Sequence, residues 1–175
     1  MRFGVCTGVE NIGLVKSAGY DYIELNFTQI TQMSDEEFEA LKEMVLTSGI
    51  LAETYNCFFP GDIKLCGDEA DLDLIAKYAE KGFSRAAQLG GKIAVIGSGG
   101  SRRIPEGFDR RTAMVQLVAV LRVCGDAAEK HGMKVAVEPL RAKETNVINT
   151  VAEGLELCKK AAHPAVGCLA DFFHV

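Results

Sequence analysis

The sequence predicts an α/β fold in which parallel strands form part of an eight-stranded barrel, and three observations carry that expectation. Short apolar runs rich in β-branched residues alternate with longer segments of helical period, the pattern of βα units around a parallel sheet. Four helical segments stop at a glycine just ahead of the next strand, whereas the segments that follow the strands are long and polar. Carboxylates recur at the strand ends, at Glu24, Glu53, Glu138 and Asp171. Several strands that each aim one acid at a common end fit a barrel mouth better than the crevice of an open sheet.

Taken in order, strands are expected over residues 3–7, 20–26, 50–57, 92–97, 133–138 and 166–171. The clearest helix is 34–48: Ser34 and Glu37 form a capping box, Phe38, Leu41, Met44 and Val45 make one apolar face, and Gly49 ends it. Met114, Leu117, Val118 and Leu121 give a later helix its buried stripe, and Thr150 with Glu153 repeats the capping box before Leu155 and Cys158. Gly19, Gly49, Gly90 and Gly132 mark tight turns from helix to strand. Residues 28–33, 58–68, 98–108 and 139–149 read as long loops on the opposite side, where such folds build their sites. An open doubly wound sheet shows the same alternation. Its dinucleotide-binding form wants G-x-G-x-x-G after the first strand, but Gly97-Ser98-Gly99-Gly100 follows the fourth and runs into Arg102-Arg103-Ile104-Pro105.

No linker or low-complexity stretch divides the 175 residues, so one domain is expected over 1–175. A 48% hydrophobic and 25% charged composition is that of a globular chain with a real core. A net charge of −5 offers no basic field for nucleic acid or an anionic membrane, which leaves small molecules as the expected partners. The first eight residues hold no apolar signal region and no run is long enough to span a bilayer, so a cytoplasmic protein is expected. Six cysteines lack any C-x-x-C pair and read as small, reduced core residues.

Glu138 closes the run Lys134-Val135-Ala136-Val137, Asp171 closes Val166-Gly167-Cys168-Leu169-Ala170, and His174 follows three residues later. Two carboxylates on consecutive strand ends can share a cation. Oxygen donors favour Mg²⁺ or Mn²⁺, and an added imidazole brings in Mn²⁺, Co²⁺ or Fe²⁺. Strand-end acids that cap neighbouring helices would show the same spacing. Ser98, Gly99, Gly100, Arg102 and Arg103 could hold a phosphate, and a plain surface loop fits them equally. Glu24 and Glu53 either line the pocket or close its rim; His131 and His163 read as structural.

The segments Val137-Glu138-Pro139-Leu140, Glu144-Thr145, Asn149-Thr150 and Asp171-Phe172-Phe173-His174 together resemble the sugar isomerase/epimerase superfamily on the xylose isomerase-like TIM barrel, especially the ketose 3-epimerases. Gly19-Tyr20-Asp21-Tyr22-Ile23-Glu24-Leu25 and residues 97–108 are similar to sugar phosphate isomerases/epimerases, and the likeness runs the length of the chain. It implies a (β/α)8 barrel and a divalent ion, Mn²⁺, Mg²⁺ or Co²⁺. Glu138 would be metal ligand and acid/base, and Asp171 a second ligand. Glu144 and His174 would bind hydroxyls of a sugar or sugar phosphate; Glu24 and Arg102 are further candidate substrate contacts from their own positions in the sequence, not from the resemblance. The implied reaction removes a proton beside a carbonyl to give an enediolate and returns it on the other face.

Where the epimerases continue Asn-Arg-aromatic after Glu-Pro-Leu, this chain has Arg141-Ala142-Lys143. The resemblance also implies a further His and Glu ligand on strands after the sixth, beyond Val175. The chain is then a piece of a longer protein or a shortened member. Taken alone it is expected to be inactive, to bind metal weakly, and to pair with copies of itself through its first and sixth strands. A dehydratase on the same barrel and a non-catalytic piece are the alternatives. A zinc nuclease is disfavoured by the acidic charge and three histidines.

Overall fold

All six predicted strands are present in the computed structural model, which describes residues 1–174. β1 (Gly4–Cys6), β2 (Tyr22–Asn26), β3 (Leu51–Asn56), β4 (Ile93–Ile96), β5 (Lys134–Val137) and β6 (Val166–Cys168) lie side by side in chain order. Every pair is parallel. The connections carry α1 (Ile12–Ser17), α2 (Phe27–Gln32), α3 (Asp35–Ser48), α4 (Leu72–Gln88), α5 (Gly99–Arg102), α6 (Arg110–Lys130) and α7 (Val151–Ala161). In a flat sheet β2 and β6 would stand about 19 Å apart, yet Glu24 of β2 and Asp171 beyond β6 line one cavity. The sheet therefore curls as a barrel wall does.

Strand residues alternate between two surroundings. Ile23, Leu25, Ala94, Ile96, Val135 and Val137 are buried and pack into the helix layer, while Glu24, Asn26, Val95 and Ala136 between them are only half buried. Beneath β2 and β3 the core is aromatic: Phe27 stacks on Phe58 with ring centroids 4.0 Å apart and meets Phe83 edge-on at 5.2 Å. Both capping boxes form, at Ser34 with Glu37 and at Thr150 with Glu153. Gly49 ends α3 with φ 78°, the left-handed conformation expected of it. Among the described residues no helix is long and apolar enough to cross a membrane.

Four expectations need correction. Residues 28–33 are not a loop but lie largely within α2, whose buried side is Phe27, Ile30 and Thr31; Asn26 caps it by accepting from Gln29 N at 2.9 Å. Thr28, Gln29 and Gln32 hid this helix behind a polar reading. Residues 98–108 likewise contain one helical turn, α5. Glu53 does not stand at the mouth. It is the extra residue by which β3 bulges against β2, and its carboxylate is held by Arg2 and by Lys92 Nζ at 2.8 Å, both from segments that precede strands. Of the cysteines only Cys66 and Cys124 are buried; Cys6 and Cys57 are exposed.

Arg85 of α4 is buried and ties three helices together. Its guanidinium donates to the carbonyls of Ile30 and Met33, each at 2.7 Å, and pairs with Asp35 at the start of α3, while Phe38 packs against its face at 4.8 Å. The Asp35 side chain is 98% exposed, so solvent screens the ion pair and the carbonyl bonds dominate. Arg85→Lys is therefore expected to cost about 2–3 kcal/mol, and Asp35→Ala no more than about 1 kcal/mol. Denaturant melts of both variants check the ranking, and equal losses would show that the ion pair carries the stability.

Candidate metal and acid-base site

Register builds the site. Ile96, Val137 and Cys168 are direct partners across β4, β5 and β6, and the ladder runs one residue further through Glu138 N to Ile96 O at 3.1 Å and Leu169 N to Val137 O at 3.0 Å. Glu138 is thereby fixed at the end of β5. Beyond β6 the chain turns on Asp171, which accepts from Phe173 N through Oδ1 at 2.9 Å and from His174 N through its carbonyl at 3.0 Å. This turn folds His174 back toward the strand ends.

One donor atom each from Glu138, Asp171 and His174 lies within 4.8 Å of the others. Oxygen ligands of a small dication at about 2.1 Å stand up to about 4.2 Å apart, so small side-chain rotations bring these donors onto a shared ion. The donor set fits as well: two carboxylates and an imidazole suit Mn²⁺, Mg²⁺ or Co²⁺. His174 Nδ1 is buried without a hydrogen-bond partner, 3.8 Å from Glu144 Oε2. Such an atom costs free energy unless something binds it or its neighbour.

The three side chains face a cavity of about 540 Å³ that Glu24, Asn56 and Cys57 also line, with Glu144 on the same wall. Asn56 Nδ2 donates to Glu24 Oε1 at 3.2 Å and so holds that carboxylate on the far side. Burial raises the Glu138 carboxyl above its usual range; Asp171 and Glu24 add to the effect, against the pull of His174 and Arg102. A carboxyl moved that way is a stronger base once ionised. Two cavity-lining residues hold left-handed backbone, Cys57 at φ 47° and Ser98 at φ 39°, whose hydroxyl accepts from Phe59 N at 2.9 Å; in the loop after β5 so does Ile148 at φ 59°, whose carbonyl accepts from Leu140 N at 3.1 Å. For a β-branched residue this is a costly conformation, maintained by the surrounding bonds.

Of the candidates, Glu24, Glu138, Glu144, Asp171 and His174 come together, and Arg102 does not reach the cavity. It is 1% exposed, and its guanidinium donates to Glu138 O at 2.8 Å, Ile148 O at 3.2 Å and Ile96 O at 3.4 Å. Burial pulls it down to about 10, which leaves it charged at neutral pH. The anticipated phosphate contact is thus a clamp on main-chain carbonyls. Arg103 is likewise engaged, donating to Glu144 O at 2.9 Å. Glu144 itself accepts from Arg141 Nε at 2.8 Å, and Arg141 lies over the Phe173 ring at 4.4 Å. Asn56 and Cys57 were missed as pocket residues. The signal was available, since both close the third predicted strand on the same side as Glu138.

Comparison with known proteins bears on the fold and the family. A probable ketose 3-epimerase of Synechocystis is 36% identical over 61 residues, which is 35% of this chain and 21% of that protein. The D-psicose 3-epimerase of Agrobacterium fabrum is 26% identical over 167 residues, or 92% of this chain, and this chain spans only 56% of that enzyme's length. A crystal structure of a D-psicose 3-epimerase in the presence of D-fructose superposes with a TM-score of 0.83 at 23% identity, covering 99% of this chain and 64% of the other. Among the described residues six parallel strands are present, where such barrels have eight. The family model described as xylose isomerase-like TIM barrel matches residues 12–175, and the chain belongs to that family.

Proposed function

We propose that this chain carries the Glu138 side of a metal-assisted proton-transfer site in a sugar isomerase or epimerase. The observation that carries the reading is the convergence of Glu138, Asp171 and His174 at one strand end, over a cavity large enough for a sugar. The names of the relatives, ketose 3-epimerase and D-psicose 3-epimerase, support the substrate class. Glu138, Asp171 and His174 would hold a divalent ion, which when bound polarises a carbonyl and offsets the charge left when the neighbouring carbon loses its proton.

The remaining roles follow from position. Glu138 takes the proton from the carbon beside the substrate carbonyl, and its partial burial strengthens it as a base. Glu144, with His174 beside it, presents hydrogen-bonding atoms to substrate hydroxyls from the same wall. Glu24 faces them from β2, held by Asn56. The product is an enediolate whose fate separates the possible reactions: a proton returned to the opposite face gives an epimer, and loss of a hydroxyl gives a dehydrated product.

A full-length protein carrying these residues, supplied with Mn²⁺ and incubated with D-fructose or D-psicose in D₂O, is expected to place deuterium on the carbon beside the carbonyl. Glu138→Gln should slow that exchange by about 100-fold or more, because an amide cannot accept the proton. Loss of water from the substrate would redirect the reading to a lyase, and unchanged exchange in the variant would remove Glu138 as the base.

A stability consequence can be read without substrate. Because folding raises the Glu138 carboxyl, its contribution to stability is complete below the ordinary glutamate range, about pH 4.3, and is lost as pH rises through the raised value. With chelator present, Glu138→Gln is therefore expected to melt above the wild type at neutral pH, the gap closing in acid. Thermal melts across pH test this, and a gap of the same size at both ends would contradict it.

A further inference from the structure

The Glu138 carboxylate occupies the space that a side chain on Gly97 would fill. A Cβ built on Gly97 would stand 2.4 Å from Glu138 Oε2, with Glu138 Cδ and Leu140 Cδ2 each at 3.5 Å. The backbone does not demand glycine at this position, because Gly97 is not among the residues with positive φ. What demands it is the approach of the carboxylate.

The main chain on both sides of this contact is locked. Glu138 N donates to Ile96 O at 3.1 Å, and Arg102 Nη1 spans the same two strand ends by donating to Glu138 O and Ile96 O. Neither strand can retreat without breaking these bonds. The atom that meets the added methyl is instead the far end of a flexible side chain, and among the described residues no protein group donates a hydrogen bond to hold that carboxylate. A methyl at position 97 would therefore leave the strands in place and force the carboxylate out of the position it now holds beside Asp171 and His174.

The geometry assigns Gly97 the role of a positioning residue, whose missing side chain leaves the space in which the Glu138 carboxylate stands within reach of the other two donors. This rests on the proposed metal site for its consequence and on the contact alone for its geometry, so the two can be tested apart. In a crystal structure of Gly97→Ala, the Glu138 carboxylate is expected to have rotated off residue 97 with the backbones of β4 and β5 unmoved. The melting temperature should be equal to or above that of the wild type, since alanine also restricts the unfolded chain. Calorimetry with Mn²⁺ should show affinity reduced by about tenfold or more.

An alanine accommodated with Glu138 in its original place would overturn the proposal, as would displaced strands or a lowered melting temperature. Unchanged Mn²⁺ affinity in Gly97→Ala, alongside weakened affinity in Glu138→Gln, would also overturn it. If Glu138→Gln itself leaves Mn²⁺ binding unchanged, the metal site is wrong, and the crystal structure alone decides whether Gly97 places the carboxylate.

Discussion

The parallel register that lines up Ile96, Val137 and Cys168 places the end of each strand beside the next, and the chemistry depends on that alignment. A slip of one residue in β5 would turn Glu138 toward the helix layer and Val137 toward the cavity. The register is guarded at its open end by Arg102, whose charge is spent on three main-chain carbonyls. Arg85 plays a comparable part on the outer side, where it closes the end of α2 against α3 and α4. Arg85 serves carbonyls at the C-terminal end of α2, whereas Arg102 adds a second bond to Ile96 O and Ile148 O, which already accept from Glu138 N and Leu140 N.

The same register explains why a carboxylate with a raised proton affinity can sit there. Glu138 is withdrawn from solvent by the strand ends and by the loop through Leu140 and Glu144, yet it stays open to the cavity. Loop 139–149 is itself held: Asn149 Nδ2 donates to Leu140 O at 2.7 Å, and Asn146 exchanges two bonds of 2.9 Å with the backbone of Ile104. The left-handed Ile148 is the cost of turning this loop back over β5.

Much of this was legible in the sequence because the signals were local. β-branched runs marked the strands, Ser34 with Glu37 and Thr150 with Glu153 marked helix starts, and a glycine marked four of the returns from helix to strand, while the return from α7 to β6 turns on Ala162 at φ 50°. Glu138 and Asp171 stood out because each closes an apolar run and the segments around them resemble those of the ketose 3-epimerases. What stayed hidden depends on contacts between distant segments. Arg102 looked like a loop cation because nothing in its neighbourhood reveals that the carbonyls of Ile96, Glu138 and Ile148 converge on it. Glu53 looked like a mouth residue because a bulge cannot be counted from one strand, and Gly97 read only as one of a glycine cluster because the side chain that needs its space lies 41 positions away.

The central claim is that Glu138, Asp171 and His174 form one divalent-cation site. Anomalous diffraction from crystals soaked in Mn²⁺ tests it most directly. The account predicts a single strong peak at the ends of β5 and β6, bonded at about 2.0–2.2 Å to a carboxylate oxygen of Glu138 and of Asp171 and to a ring nitrogen of His174. A peak elsewhere on the chain, or none at millimolar Mn²⁺, would contradict it.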